Sequence, residues 1–307
     1  MLREIEKNQR ISDKIAIFRG HITTGNVVRP SDVSKFVFLC GANKEDRRIS
    51  ERRKALLSFA QHHLPKCKFF LAEKVFECLQ EEGHRGNILD VENKISEFAD
   101  TILIILESPS AFAELGAFSH KELRNKLIVI NDKKYHKSSS FINLGPIKAI
   151  EEAGGNERIV SYPMRPDGID RMDAIGDTFA ALHSQLKVPA KSKSKSQPLF
   201  EKDLDPKRVF NKDSAMLVHD LVYITGPIKY KELIMIMLKL FGQGSYDIVK
   251  QLLGLLVAFE AIEKNDKALY KSKQNACFLS YPFDVDSIIS SFRNVCLKYH
   301  SDRIYEY

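Results

Sequence analysis

The sequence predicts an α/β domain with a doubly wound, mostly parallel sheet, followed by a smaller helical domain. Two observations carry this. In the first half of the chain, short runs that are apolar throughout alternate with helical patterns, and such strands belong to a parallel sheet covered on both faces. A lysine–serine run at 191–196 then breaks the composition, and the texture beyond it is helical.

The bulk numbers agree with a globular chain. Its 307 residues leave room for one large domain or two ordinary ones, with 44% hydrophobic and 28% charged residues. The longest apolar runs, Thr101–Leu106 and Leu127–Ile130, are too short to cross a bilayer. Met1–Arg10 alternates charges with isolated apolar residues, unlike a signal peptide. A cytoplasmic protein with no membrane partner is expected. The five cysteines are scattered without a C-x-x-C pair, so neither a zinc site nor a disulfide framework is indicated. The net charge of +7 admits an anionic partner.

Residues 1–34 carry only weak helical periodicity (Leu2, Ile5, Ile11, Ile15) and read as a peripheral N-terminal extension. The α/β domain spans 35–186. Lys35–Cys40 reads as a buried strand closed by the turn Gly41-Ala42-Asn43. A helix follows through Ile49, Leu56, Leu57 and Phe59, bearing Arg47, Arg48, Arg52 and Arg53. Lys68–Ala72 is the next strand, Phe76–Glu81 a helix and Ile88–Phe98 an amphipathic helix. The strand Thr101–Leu106 leads into a helix over Pro109–Arg124, and Leu127–Asn131 is again strand. A short helix at Gly145–Glu152, a last strand at Arg158–Tyr162 and a helix from Ile169 to Leu186 close the domain.

Residues 187–206 read as a flexible basic linker, too polar to offset its ordering entropy. In 207–307, helices are predicted at Ser214–Thr225, Tyr230–Phe241 and Ser245–Asn265, the last N-capped by Ser245. A weak hairpin signal over Lys267–Ser280 centres on Gln274-Asn275, and a helix at Val285–His300 ends the chain. Three helices and a basic hairpin describe a winged helix. The candidate nucleic-acid contacts are the linker lysines Lys191, Lys193 and Lys195 and the wing lysines Lys271 and Lys273, which suit phosphates better than base edges.

The chemistry concentrates between Ile104 and Phe118. An apolar strand ends at Glu107, placing a carboxylate where open α/β sheets bind ligands. Ser108 is a natural N-cap and Pro109 suits the first helical position. Ser110, Ala111 and Ala113 are small and leave the helix N-terminus open to an anion, with Glu114 about one and a half turns in. Cleaving a bond between an anomeric carbon and a base builds positive charge. One carboxylate can attack or stabilise that carbon while a second orients hydroxyls or handles protons. Glu114 and Glu107 are therefore the candidate catalytic pair. Gly41, Asn43, Ser108, Ser110 and Phe112 are the candidate substrate-binding residues. No histidine cluster has ligand spacing, so no metal is assigned. Gly41 is not followed by the further glycines of a dinucleotide fingerprint, so a nucleotide would be a substrate and not a cofactor.

The stretch Ser108–Phe118, Ser-Pro-Ser-Ala-Phe-Ala-Glu-Leu-Gly-Ala-Phe, resembles the nucleoside deoxyribosyltransferase signature, and the resemblance spans roughly residues 35–185. It implies that fold, puts the nucleophile on Glu114, and gives the sugar contact to Glu107 or the Ser108 hydroxyl. It also matches Gly41 to an early turn beside the phosphate or sugar. Where the transferases carry a glycine–threonine pair, this chain has Ala111-Phe112-Ala113, and Phe112 would narrow the pocket; hydrolysis is expected over transfer. Joined to a lysine-rich linker and a winged helix, such a domain resembles the effector proteins of bacterial retrons. That resemblance implies an antiphage toxin held inactive by a reverse transcriptase and its multicopy single-stranded DNA–RNA. It also implies NAD or a related nucleotide as the molecule destroyed, and a homo-oligomer or higher-order assembly fits the same expectation. A nucleotide-sensing DNA-binding regulator and a deoxyribosyltransferase of salvage are the alternatives.

Overall fold

The computed structural model describes the chain except for residues 47, 84, 88–91, 93, 97, 137, 189–195 and 306–307, and the side chains of 304–305. It forms two compact units. An α/β unit comprises Ser34–Lys74 and Gly86–Pro189, and a mainly helical unit comprises Met1–Val33, Val75–Arg85 and Ala190–Tyr307.

The α/β unit is built on a five-stranded parallel sheet. From one edge to the other the strands are Cys67–Phe70, Lys35–Cys40, Thr101–Ile105, Leu127–Asp132 and Ile159–Tyr162. Every residue of Thr101–Ile105 and of Leu127–Asp132 is buried. That is why these runs show no alternation: both faces are covered. On one face Val37, Leu39, Leu103, Ile105 and Ile130 pack with Leu56 and Ala60 of the helix Glu51–His63 and with Leu182 and Leu186 of the helix Phe179–Leu186. On the other, Phe38 stacks on Phe70 at 5.5 Å and meets Phe118 of the helix Pro109–Phe118 edge-on at 6.0 Å.

The chain steps outward from Lys35–Cys40 to Cys67–Phe70, then crosses back to Thr101–Ile105 and continues the opposite way. At such a reversal the connections after two neighbouring strands diverge and leave a crevice at their carboxyl ends. The residues after these two strands are Gly41-Ala42-Asn43 and Leu106-Glu107-Ser108.

Several elements end elsewhere than the periodicity suggests. The helix expected over Pro109–Arg124 stops at Phe118, its last buried position, where the Ser119 N–H closes on the Leu115 carbonyl. The helix expected from Ile169 begins only at Phe179, after a 3₁₀ turn over Ala174–Thr178 whose entry is held by the Asp173 carboxylate accepting from the Ile175 N–H. The helix expected at Ile88–Phe98 lies partly outside the described residues.

In the helical unit, the expected N-terminal extension is two helices, Leu2–Lys7 and Gln9–Thr23. Ile11, Ile15, Phe18 and Ile22 form one buried stripe, and both helices pack on Tyr230–Phe241. A stripe of four apolar residues at helical spacing suffices to bury a face, however charged the rest. The expected linker is also shorter. The lysines 191, 193 and 195 lie outside the described residues, but Gln197–Leu199 is a strand paired antiparallel with Val27–Arg29, and Leu199 and Leu204 are fully buried. Pro198 is tolerated there because the strand is one of only two in its sheet.

Helices Lys212–Thr225, Tyr230–Phe241 and Asp247–Ala258 follow, and Val285–Tyr299 comes near the end. The third helix ends at Ala258 and not at Asn265, since Ile262–Lys264 is a strand. Its N-cap is Tyr246, the Ser245 hydroxyl donating instead to the Asp247 carboxylate. Ile262–Lys264 pairs antiparallel with Leu269–Ser272, which pairs in turn with Ile228–Lys229. The hairpin thus turns at Asn265–Ala268, where Asn265 Oδ1 accepts from the Lys267 and Leu269 N–H groups and Ala268 takes φ 55°. Gln274-Asn275, the turn suggested by the sequence, lies beyond it. Within this unit the Tyr270 hydroxyl and Lys264 both bond the Glu82 carboxylate of Val75–Arg85. Among the described residues no helix is long and apolar enough to cross a membrane.

Candidate active site

Ser108 caps the helix Pro109–Phe118, its hydroxyl accepting from the Ala111 N–H, and Pro109 takes the first turn. The Ser108 and Ser110 hydroxyls lie 2.9 Å apart at this N-terminus. A cavity of about 380 Å³ lies alongside, lined among others by Gly41, Asn43, Ser108, Ser110 and Glu114.

Glu114 is the unusual group of this cavity. Its Oε2 is buried with no hydrogen-bond partner among the described residues. Burial first, and then the nearby Glu92 carboxylate, push it up to about 7 against the pull of Arg53 and of a hydrogen bond with the Cys40 thiol, with Glu73 adding to the rise. A carboxyl poised near neutrality in a cavity is what proton or nucleophile chemistry requires, and it costs stability to keep.

Arg53 sits behind the cavity, fully buried. Its Nη1 donates to Asn43 Oδ1 and Glu73 Oε1, both at 2.8 Å, and its Nη2 to Glu73 Oε2 at 3.0 Å. Burial opposes ionisation of Glu73, but these bonds hold its carboxyl below the ordinary value. Asn43 also donates to Glu73, so its amide braces the ion pair at the cavity wall. Glu92 lines the same cavity and is raised by burial and by Glu73.

Glu107 occupies a different setting from the one expected. Its side chain has no solvent exposure. Oε1 accepts from the Ala42 N–H at 2.9 Å and the Ser50 hydroxyl at 2.7 Å, and Oε2 pairs with Arg52 at 3.1 Å. Arg52 in turn bonds Asp173 at 2.7 and 2.9 Å, and Asp173 accepts from the Tyr162 hydroxyl. Gly41 makes this possible: a Cβ there would lie 2.9 Å from Glu107 Oε1 and 3.1 Å from Arg53 Cδ. Its lack of a side chain serves the close approach of two charged groups.

Phe112 does not line the Glu114 cavity. It borders a second cleft, of about 520 Å³, with Ser108, Lys134, Tyr135, Met164 and Arg165. Of the expected substrate residues, Gly41, Asn43, Ser108 and Ser110 meet Glu114, Phe112 does not, and Ser108 borders both clefts. In the sequence Arg53 stands out only as one of several arginines on its helix, and Glu73 and Glu92 are not assigned to the site. A signal for Arg53 existed: it falls on the stripe of Leu56 and Ala60, three and seven residues on, where a solvated arginine does not belong.

In the helical unit Lys273 lies 3.7 Å from Glu260, and Lys271 lines a separate cleft of that unit. Lys191, Lys193 and Lys195 fall outside the described residues.

Comparison with known proteins gives the chain its relatives. A family model described as "STM3845 retron effector protein" matches residues 49–264. The Escherichia coli protein named "Retron Ec73 putative ribosyltransferase/DNA-binding protein" is 39% identical over 317 aligned positions, covering 100% of this chain and 99% of the relative. The retron Ec86 protein of the same description, also from Escherichia coli, is 35% identical over 134 residues, 43% of each chain. The chain belongs to the STM3845 retron effector family.

Proposed function

We propose that this retron effector cleaves the N-glycosidic bond of NAD or a related nucleotide, with Glu114 as the nucleophile. The observation that carries the reading is the buried, unpartnered Glu114 oxygen lining a cavity at the carboxyl edge of the sheet. The name of the Ec73 relative, a ribosyltransferase, supports chemistry at a ribosyl carbon.

In this reading the ionised Glu114 oxygen attacks the anomeric carbon as the carbon–nitrogen bond breaks, and that bond's electron pair leaves with the base. Water then adds at the anomeric carbon, one proton is released, and the carboxylate is regenerated. A pyridinium base departs neutral and needs no proton, so a single reactive carboxylate suffices. That fits the engagement of Glu107, which becomes a positioning residue holding the Ala42 N–H, Ser50 and Arg52. The substrate's positive ring also favours ionisation of Glu114 on binding. Ser108 and Ser110, at the positive end of their helix, suit the nucleotide's phosphate.

The helical unit takes the nucleic-acid part. Its helices and three-stranded sheet support a winged helix, with the linker lysines, Lys271 and Lys273 contacting phosphates of the retron's multicopy single-stranded DNA–RNA. The reverse transcriptase and that nucleic acid hold the enzyme inactive, in an assembly with more than one copy of the chain. The test is chromatographic: free nicotinamide released from NAD by the purified chain supports the reading. An intact dinucleotide after prolonged incubation contradicts it.

A further inference from the structure

The helical unit contains a cleft of about 530 Å³ whose lining includes Lys271. Its walls come from the helix Lys212–Thr225, the strand Leu269–Ser272 with the segment after it, and the helix Val285–Tyr299. Gly226, at φ 75°, ends the first helix at the cleft's rim, a conformation that costs other residues more.

The lining has a consistent chemistry. Arg293 and Lys271 supply positive charge, and Arg293 is exposed and makes no hydrogen bond or ion pair among the described residues. Arg303 also reaches the cleft, but Glu232 holds its guanidinium at 2.7 and 2.9 Å. No acidic side chain is among the described residues lining it. The partly exposed Tyr223 ring supplies an aromatic face, Gln274 and Asn275 supply amides, and Leu297 is a half-exposed apolar neighbour.

One wall is fixed in advance. Ser272 Oγ lies 2.9 Å from His219 Nε2, and His219 Nδ1 lies 2.8 Å from Asp220. Asp220 also accepts from the Phe278 and Leu279 N–H groups and the Tyr281 hydroxyl. His219 and Asp220 are wholly buried and fully engaged, so their work is to lock the segment bearing Lys271, Gln274 and Asn275 against the first helix. The Tyr223 hydroxyl, donating to the Asn275 carbonyl at 3.0 Å, holds the ring beside that segment.

A guanidinium without a partner among the described residues, an aromatic face and side-chain amides in a preformed concavity match the parts of a nucleotide: phosphate, base face and base edge. We infer that this cleft binds a phosphorylated nucleotide, with Arg293 and Lys271 on the phosphate and the base against Tyr223. The nucleotide comes either from a single strand or from a free monophosphate. The inference rests on the nucleic-acid part of the proposed function for the strand as its source, and it adds Arg293 and Tyr223 to the hairpin's Lys271 while leaving out Lys273.

The test uses the full chain, a fluorescein-labelled single-stranded oligothymidylate read by anisotropy, and thymidine monophosphate as competitor. Arg293→Gln and Tyr223→Leu should each weaken strand binding about tenfold, with Arg293→Gln also lowering the logarithmic salt slope by about 0.7. Tyr223→Phe should retain binding, since the ring remains. Lys298→Gln, on the same helix but outside the cleft, should change nothing. Competition by the monophosphate identifies a free nucleotide as a ligand; strand binding that needs Arg293 but ignores the monophosphate identifies the strand. Wild-type binding of the strand that Arg293→Gln and Tyr223→Leu leave unchanged overturns the cleft and spares the nucleic-acid reading. Binding of neither probe by the wild type overturns both.

Discussion

Glu107 and Glu114 stand seven residues apart on one strand-to-helix connection, yet their surroundings are opposite. Glu107 has two donors on one oxygen and Arg52 on the other, with no exposed side-chain surface. Glu114 keeps one buried oxygen without a partner and is pushed up to about 7 by burial and by Glu92. The comparison teaches that a carboxylate's part is set by what faces it. A satisfied, paired carboxylate holds structure, and one left in need of a partner is available for chemistry.

Substitution can break that contrast from either side, and the largest effect on stability should come from Glu107. Glu107→Gln leaves Arg52 with one carboxylate fewer in a buried network and sets an amide N–H₂ against donors. A loss of about 3 kcal/mol in denaturant unfolding is expected. A loss below about 0.5 kcal/mol would return Glu107 to the candidates for chemistry. Gly41→Ala comes next: its Cβ would press on Glu107 Oε1 and the Arg53 side chain, at a cost of about 1–3 kcal/mol in the same measurement.

The smallest expected effect has the opposite sign. The folded-state value of Glu114, about 7, lies above the ordinary 4.5, so the folded chain holds that proton more tightly than the unfolded one. Its contribution to stability is complete below about pH 4.5 and is lost as pH rises through about 7. Glu114→Gln should therefore stabilise the protein by about 1–2 kcal/mol near pH 8 and by nothing near pH 4, the gain being discounted for partial exposure. Thermal melting at the two values checks this. An equal shift at both would mean that Glu114 is not held in need of a partner.

What could be read in the sequence was local. The strands were legible because burial on both faces leaves unbroken apolar runs such as Ile102–Ile105, and Ser108-Pro109 marks a helix start by its own chemistry. The surroundings of Glu107 were not legible, because Arg52 and Ala42, 55 and 65 residues away, supply them. The same holds for Gln197–Leu199, whose proline and polar neighbours resemble linker until the distant strand Val27–Arg29 pairs with it. The placement of Glu114 near the strand's carboxyl end was legible through its motif and its distance from the strand end. Its buried oxygen and raised pKa depend on Cys40, Arg53, Glu73 and Glu92, which only the fold assembles.

The central claim, that Glu114 is the nucleophile of an N-glycosidic cleavage, is tested most directly by base release from NAD across about pH 5–9. Wild type and Glu114→Gln are compared, with folding monitored alongside. The wild-type rate should rise with pH to a plateau above about 7 as Glu114 ionises. The folded variant should lose turnover by a hundredfold or more, about 3 kcal/mol of barrier. Near-normal release by Glu114→Gln, or a wild-type rate that falls as pH rises through 7, would contradict it.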